Sequence, residues 1–132
     1  MDIIGENIPV TVTVATETEP TTVSGVYVKT DDGFMLRFSI GTDEFVITHG
    51  EAQTEVKAEG VMSYDIVLGE GNTTTTLATP FGLVKFNVKP EMRHVCVTER
   101  IIRMLLSYVL SADGVGDMMR KVDVTVEFGI RN

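Results

Sequence analysis

Hydrophobic and polar residues alternate along most of this chain with a period of two. The alternation is cleanest near the end of the chain, where one phase consists of Val122, Val124, Val126, Phe128 and Ile130. The intervening phase there is polar, and earlier segments at 10–14, 34–40, 62–68 and 84–88 alternate in the same way. Because successive side chains of a strand point to opposite faces, the pattern predicts antiparallel strands with one face in a core and one in water.

Glycines recur at a nearly constant interval in the first half of the chain. The gaps between successive glycines are 8, 8, 9, 10 and 9 residues for Gly25, Gly33, Gly41, Gly50, Gly60 and Gly69. Tight hairpin turns favour glycine because they need a positive φ, although a glycine inside a strand can also mark a bulge or bend. Further turn signals lie at 31–33, 41–43, 69–72 and 89–91. Strands and turns at this spacing predict an all-β antiparallel up-and-down meander that closes into a barrel.

The segment 99–110 fits two interpretations, because apolar residues occupy both phases of a strand and also recur at helical spacing. We favour the strand, since a hairpin-like turn and a clearly alternating strand follow it. As a strand, it would place Ile101, Leu105 and Val109 on the outer face. Such an apolar row indicates either a subunit contact or an edge covered by the barrel or a terminus.

The composition is that of one soluble globular domain spanning 1–132, with a core at about 8–130. Hydrophobic residues make up 43% and charged residues 23% of the 132 residues. The net charge of −8 argues against nucleic acid or an anionic membrane as a partner. Cys96 is the one cysteine, and the first residues do not resemble a signal peptide, so we expect a cytoplasmic protein of a reducing compartment.

Charge is uneven along the chain. Residues 1–70 contain 13 acidic and 3 basic residues, whereas residues 71–132 contain 6 acidic and 8 basic ones. In a meander the two halves of the chain form two sides of the barrel, which predicts an electrically polar molecule whose charged side chains are chiefly solvated strand faces.

The search for catalytic residues gives no candidate. His94 and Cys96 would share one face of a strand, but no third group of a nucleophilic site or a metal site lies nearby in sequence, so we expect Cys96 to be a small buried residue. His49 lies at a predicted turn and is expected to be exposed, and Lys57 is expected at the surface. We therefore expect a protein that is not an enzyme, with no catalytic residues, no metal and no cofactor.

The sequence Thr79-Pro80-Phe81-Gly82 is the most unusual local feature of the chain. The proline removes a backbone donor and the glycine relaxes φ, so the pair predicts a sharp reversal or a strand break. We expect the phenyl ring of Phe81 to pack under the end of the barrel as a structural plug. The threonine run at 73–76 is read as strand-favouring composition.

Several of these features together resemble the YwiB-like family of small bacterial proteins. The resemblance is carried by the segment 56–60, the strand that ends at 68–71, the threonine-rich strand and the turn at 79–82. It runs from about Val10 to about Phe128 and is weakest at 91–110. At two positions the chain departs from the family's preference, with Phe81 where the family favours Tyr and Lys57 where it tends to carry Arg. The resemblance implies a lipocalin-like barrel of about eight to ten strands and a cytoplasmic bacterial protein, and it implies no activity.

Two better-known barrel families do not match. Lipocalins proper carry a Gly-x-Trp motif, and this chain has no tryptophan. Intracellular lipid-binding proteins have two lid helices after the first strand, where residues 17–21 here leave room only for a turn. Those proteins also hold a lipid carboxylate with an Arg-x-Tyr pair, whereas the final strand here contains Glu127-Phe128. A fatty-acid carrier is therefore not supported.

Two hypotheses for function follow. In the first, the barrel interior binds a small apolar or amphipathic ligand, and the candidate lining residues are Phe38, Met62, Tyr64 and Phe86. This hypothesis requires an internal cavity of roughly 300 Å³ or more, because small barrels are often filled by their own side chains. In the alternative, the protein is a structural or interaction module that acts through an exposed strand edge or through a homodimer formed by the outer apolar row.

Overall fold

A computed structural model describes residues 3–16, 19–114 and 116–129. The predicted turn residues Glu17 and Thr18, and Ile130 of the last alternating segment, lie outside this part of the chain. The described residues form ten strands and no helix. The strands are β1 (Asn7–Ala15), β2 (Thr21–Lys29), β3 (Phe34–Ile40), β4 (Asp43–His49), β5 (Thr54–Glu59), β6 (Tyr64–Leu68), β7 (Thr73–Thr79), β8 (Gly82–Val97), β9 (Ile101–Ala112) and β10 (Gly116–Phe128).

The strands form one antiparallel sheet in the order β6-β5-β4-β3-β2-β1-β10-β9-β8-β7. Each strand pairs with its neighbour in sequence except β6 with β7, and the first strand pairs with the last, for example Val12 with Val126. The sheet thus curls into a nearly closed barrel, and the predicted all-β meander is confirmed. The described part of the chain contains no helix that is long and apolar enough to cross a membrane.

The barrel closes between β6 and β7 through a short contact, which we call the seam. Ser63 and Ala78 exchange two backbone hydrogen bonds of 3.0 and 2.8 Å at one end of it. Further along, threonine hydroxyls replace the backbone ladder: Thr75 Oγ1 donates to the carbonyl of Asp65 at 2.7 Å, and Thr73 Oγ1 donates to that of Val67 at 3.1 Å. The alternate threonines of the run 73–76 therefore join the two edges, a role that the composition alone did not indicate.

The inward phase of the alternation forms the core in two clusters. The larger one joins β1–β4 to β9 and β10 and includes Val12, Leu36 and Met104, all fully buried. The smaller one consists of Ile66, Leu68, Val88, Leu106 and Tyr108. Along a strand, alternate residues face the interior of the barrel, and the residues between them face outward.

The segment 99–110 is a strand, as favoured from the sequence. Ile102, Met104 and Leu106 of β9 are buried, and Ile101 on the other phase is 42% exposed. The predicted turn at 89–91 is wrong, because β8 runs unbroken through it. A register shift between Pro90 and Met92 accommodates the proline as a β-bulge, which is one of the few positions where a strand tolerates that residue.

The recurring glycines have two different origins. Gly41 has a φ of +63° in the β3–β4 turn, as expected of a hairpin. Gly25 instead lies within β2, where an added Cβ atom would lie 2.8 Å from Val12 Cγ2 and 2.9 Å from the carbonyl oxygen of Arg37. The regular glycine spacing therefore reflects close packing inside strands as well as turns.

The two halves of the chain form two sides of the barrel, as the charge pattern predicted. Strands β1–β6 are contiguous in the sheet and come from the acidic half, and β7–β10 are contiguous and come from the half with more basic residues. The turns after β1, β3, β5, β7 and β9 lie at one end of the barrel, because neighbouring strands are antiparallel. We call this end the cavity end and the other the opposite end.

Candidate functional site

A cavity of about 240 Å³ opens at the cavity end, between the seam and β10. It is lined mainly by apolar side chains from β6, β7, β8, β9 and β10 and from the β5–β6 turn. The lining residues are Met62, Tyr64, Ile66, Thr75, Leu77, Phe86, Tyr108, Leu110, Met118 and Arg120. An apolar cavity with a few polar groups is the usual form of a small-molecule site.

Strand register explains why these side chains converge. Thr75 lies opposite Phe86 on β8, and Arg120 lies opposite Tyr108 on β9, so both pairs point into the barrel from neighbouring strands. Ile66 and Tyr108 also belong to the smaller core cluster, which forms the floor of the cavity. The cavity is therefore the part of the interior that the smaller cluster leaves unfilled.

Three of the four lining residues predicted from the sequence line this cavity, namely Met62, Tyr64 and Phe86. Phe38 does not: it lies in the larger core cluster, with its ring stacked on Phe45 at a centroid distance of 5.4 Å. Phe38 is paired with Gly25, and its packing beside that glycine occupies interior volume on the β2–β4 side. Phe38 thus faces the barrel interior but does not line this cavity, because alternation identifies inward residues and not which interior volume is filled.

The cavity is smaller than the roughly 300 Å³ that the sequence argument required. The interior is nevertheless not fully packed, since a continuous volume remains beside the seam. A larger depression of about 400 Å³ lies over β2, β3 and β4, but it includes the outward residues Arg37 and Glu44. The 240 Å³ cavity, in contrast, is lined mostly by apolar residues of the inward phase.

Several exposed apolar side chains lie at the cavity end of the barrel. They come from the turns at the cavity end and from the first residues of the strands that follow: Val61, Met62, Phe81, Met118 and Met119. The ring of Phe81 is 99% exposed, so the prediction that it packs under the barrel is wrong. Thr79 Oγ1 accepts a hydrogen bond from the backbone N–H of Phe81 at 3.1 Å and donates to the carbonyl of Gly82 at 2.9 Å, which holds the turn with its aromatic residue outward.

The ionisable groups at the cavity end include a phenol, a guanidinium and a carboxylate. Burial raises the pKa of the Tyr64 phenol, the positive charge of Arg120 opposes this rise, and the negative charge of Asp43 adds to it. Asp43 lies at the start of β4 and accepts a hydrogen bond from the backbone N–H of Val61 at 3.1 Å. The carboxylate thus fixes the β5–β6 turn, whereas Tyr64 and Arg120 belong to the cavity wall.

The opposite end of the barrel is closed by a cross-barrel contact. Arg93 of β8 donates from Nη1 to the carbonyl of Gly50 at 3.0 Å and from Nη2 to that of Glu51 at 2.9 Å, both in the β4–β5 turn. A longer bond of 3.4 Å joins Arg93 Nη1 to Thr54 Oγ1. Nothing in the alternation pattern indicates this contact, because Arg93 is a charged residue on an inward phase.

His49 belongs to the same closed end. Its Nδ1 atom shares a hydrogen bond of 2.8 Å with Thr54 Oγ1, and its ring packs against Phe34 at a centroid distance of 5.1 Å. Burial is the main cause that lowers the pKa of His49; the charge of Arg93 lowers it further, and Asp32 partly offsets both. The prediction of an exposed turn histidine is therefore wrong: His49 is the last residue of β4 and is half-buried.

The remaining sequence candidates lie on the outer surface. Cys96 is exposed and not buried as expected, because its phase of β8 faces outward, opposite Arg103. His94 and Lys57 are exposed as well. No group of three or more His, Cys, Asp or Glu side chains arranged to hold a metal ion occurs within residues 3–16, 19–114 and 116–129.

The outer apolar row of β9 is partly covered. Leu105 and Val109 are half-buried by neighbouring strands, and Ile101 at the end of the row is exposed. Met92 on the neighbouring β8 is exposed and borders a surface depression together with Leu105. The strand edge expected in the alternative hypothesis is short, because the seam joins β6 to β7.

These features define an all-β protein, a nearly closed meander barrel of ten strands with an apolar cavity at one end. The fold is similar to that in the crystal structure of the ywiB protein from Bacillus subtilis, with a TM-score of 0.78, 17% sequence identity and 94% of each chain covered. The resemblance to the YwiB-like family is thereby confirmed as a likeness of fold. No profile of a known protein family and no curated protein sequence matches the chain.

Proposed function

We propose that this protein binds a small apolar or amphipathic molecule in the cavity at the end of the barrel. The observation that carries the proposal is the unfilled volume of about 240 Å³ with its mainly apolar lining. Protein interiors otherwise pack at the density of organic crystals, so this opening is where a ligand can contact inward-facing side chains. The lining residues Met62, Tyr64 and Phe86 would then contact the ligand.

The exposed rim supports the same proposal. Exposed apolar residues occur at both ends of the barrel, and at the cavity end Met62 and Met118 line the opening itself. The side chains of Phe81 and Met119 are exposed, whereas aromatic and methionine side chains of a packed core are buried.

The size of the cavity limits the ligand. Sites for drug-sized molecules usually have about 300–1,000 Å³, and this cavity has about 240 Å³. The ligand is therefore either smaller than a typical drug or leaves part of its length between the rim residues.

A titration with the neutral fluorescent dye N-phenyl-1-naphthylamine tests this proposal. The dye brightens in an apolar site, and we expect saturable binding to the wild-type protein. Leu110→Trp fills the cavity from β9, and we expect it to weaken binding at least tenfold. Val109→Trp is the matched control, because it adds the same side chain on the adjacent outward phase.

Circular dichroism and urea unfolding must show that each variant folds. Met118→Phe, at the exposed mouth, provides a milder obstruction if Leu110→Trp does not fold. Absence of saturable binding to the wild type, or equal binding by Leu110→Trp, Met118→Phe and Val109→Trp, would overturn the proposal.

The second candidate function is an interaction surface on the outer face of β8 and β9. The exposure of Met92 and Ile101 favours it, and the partial cover of Leu105 argues against it. Sedimentation velocity across a range of concentrations tests self-association through this face. A dimer that dissociates in Ile101→Glu would support this function, and a monomer at all concentrations would exclude the homodimer.

A further inference from the structure

Arg120 stands out among the residues that line the cavity. It lies on the inward phase of β10 between Met118 and Val122, where the pattern of the strand would otherwise place an apolar residue. Its register partner is Tyr108, whose side chain is buried at the cavity floor. Arg120 is exposed, so its guanidinium lies at the mouth of the cavity, where it can reach both water and a group bound in the opening.

The other charges near the mouth do not neutralise the cavity. The lining residues include no aspartate or glutamate. Asp43 is the carboxylate close enough to affect the Tyr64 phenol, and it is bonded to the backbone of the β5–β6 turn. Arg120 also interacts with groups of the protein itself, Tyr64 among them, so a bound anion would join or replace those contacts.

Tyr64 provides a second polar group in the cavity lining, within electrostatic range of the guanidinium of Arg120. Its side chain lines the cavity from β6, on the far side of the seam from β10, and it lies within electrostatic range of Arg120. A phenol can donate one hydrogen bond, and a guanidinium offers several donors in a planar fork that matches an oxyanion. The two residues thus present donors from opposite walls of the same opening.

We propose that the ligand is an amphipathic anion whose oxyanion group, a carboxylate, sulfonate or phosphate, binds at Arg120 and Tyr64. Its apolar part lies deeper, against Ile66 and Phe86. This inference rests on the proposed function, because it specifies the chemistry of the ligand in the same cavity. The net charge of the chain is −8, but β10 belongs to the half of the chain with more basic than acidic residues.

Two dyes with related apolar parts test this inference. 8-Anilinonaphthalene-1-sulfonate carries a sulfonate, and N-phenyl-1-naphthylamine has the same aromatic frame without the charge. We expect Arg120→Met to weaken binding of the sulfonate dye by roughly tenfold to a hundredfold, the range of a lost charged hydrogen bond, and to leave the neutral dye unchanged. Arg120→Lys should restore most of the binding of the sulfonate dye.

Lys85→Met is the matched control. It removes one positive charge from β8, which is separated from β10 by β9, on a side chain that is exposed and lies next to the cavity residue Phe86 in sequence. We expect it to bind both dyes as the wild type does, apart from the small effect of net charge that salt screens. A urea transition for every variant shows whether its fold is intact.

The outcomes separate the two proposals. If both dyes bind and Arg120→Met weakens neither, or weakens both equally, the inference about the anionic group is overturned and the cavity remains a binding site. If neither dye binds, or Leu110→Trp leaves both affinities unchanged, the proposed function is overturned and this inference with it.

Discussion

The hydroxyl of Thr75 donates a hydrogen bond of 2.7 Å to the backbone carbonyl of Asp65, across the line where the first six strands meet the last four. The same threonine lines the cavity and is buried. A side chain therefore does at this position what a backbone N–H does elsewhere in the sheet. The seam and the cavity wall are the same structure, so the closure of the barrel and the shape of the site depend on each other.

Replacement of Thr75 by valine tests the contribution of the seam. Valine keeps the shape of threonine but leaves the Asp65 carbonyl without its hydroxyl donor, and we expect a loss of about 1–2 kcal/mol in the free energy of unfolding. Thr76→Val is the control, since Thr76 is exposed on the other phase of β7 and its replacement should change the stability by less than about 0.5 kcal/mol. Urea unfolding measures both. Equal stability of the two variants would show that the hydroxyl of Thr75 does not hold the seam.

Arg93 is expected to stabilise the opposite end of the barrel. Arg93→Met removes the donors to Gly50 and Glu51, and we expect a cost of about 2–3 kcal/mol, since a bond that involves a charged group contributes more than a neutral one. Arg103→Met is the comparison, because Arg103 forms an exposed ion pair with Asp123 that should add little. The midpoints of urea transitions rank the two variants. A larger loss in Arg103→Met than in Arg93→Met would contradict the closed-end contact.

His49 makes the stability depend on pH. Burial and the charge of Arg93 lower its pKa in the folded state below the ordinary value of about 6.5, so the unfolded chain binds the proton more tightly. Stability contributed by neutral His49 is present above pH 6.5 and is lost as the pH falls from 6.5 toward the lower folded pKa. His49→Gln should reduce this loss between pH 7 and 5.5, and His94→Gln on the exposed outer phase should not.

Thermal or urea unfolding at a series of pH values measures that difference. A histidine titration followed by NMR checks the cause directly, since the pKa of His49 should rise when Arg93 is replaced by methionine. A pKa of His49 above 6.5 in the folded protein would contradict the predicted direction of the pH dependence.

Gly25 is expected to resist substitution although it lies within a strand. An alanine Cβ atom would lie 2.8 Å from Val12 Cγ2 and 3.3 Å from Phe38 Cβ, so Gly25→Ala should cost about 1–3 kcal/mol through overpacking. Gly71→Ala in the β6–β7 turn meets no atom within 4 Å and should be neutral or slightly stabilising. The free energies of unfolding of the two variants test this prediction. If Gly25→Ala unfolds with the same free energy as the wild type, the core at Phe38 relaxes easily and the prediction is wrong.

Much of the fold could be predicted because its signal is local. The alternation that ends at Phe128 identifies which residues of β10 face inward, and the same rule separates Met104 from Leu105 on β9. The turn at 89–91 could not be predicted, because Pro90 marks either a turn or a bulge and the outcome depends on whether β9 continues beside it. Pairing partners across the sheet override a local signal of this kind.

The site could be predicted in part for the same reason. Met62 and Tyr64 belong to one alternating segment and Phe86 to another, and they meet because the barrel closes between β6 and β7. Arg120 and Thr75 were missed because a charged residue and a threonine are ordinarily read as solvent-facing. Arg120 lies on the same phase as Val122 and Val124, which become buried further along β10, and this is the signal that could have identified it.

A methyl NMR titration tests most directly whether the cavity is a binding site. The protein would carry ¹³C-labelled methyl groups on isoleucine, leucine and methionine, and N-phenyl-1-naphthylamine would be added to saturation. We predict that the largest shifts occur at the methyl groups of the cavity wall, those of Ile66, Leu77, Leu110 and Met118. The methyl groups of Leu36 and Ile47 in the larger core cluster should stay in place. Shifts confined to outward residues such as Leu83 and Ile101, or no shifts at all, would contradict the account.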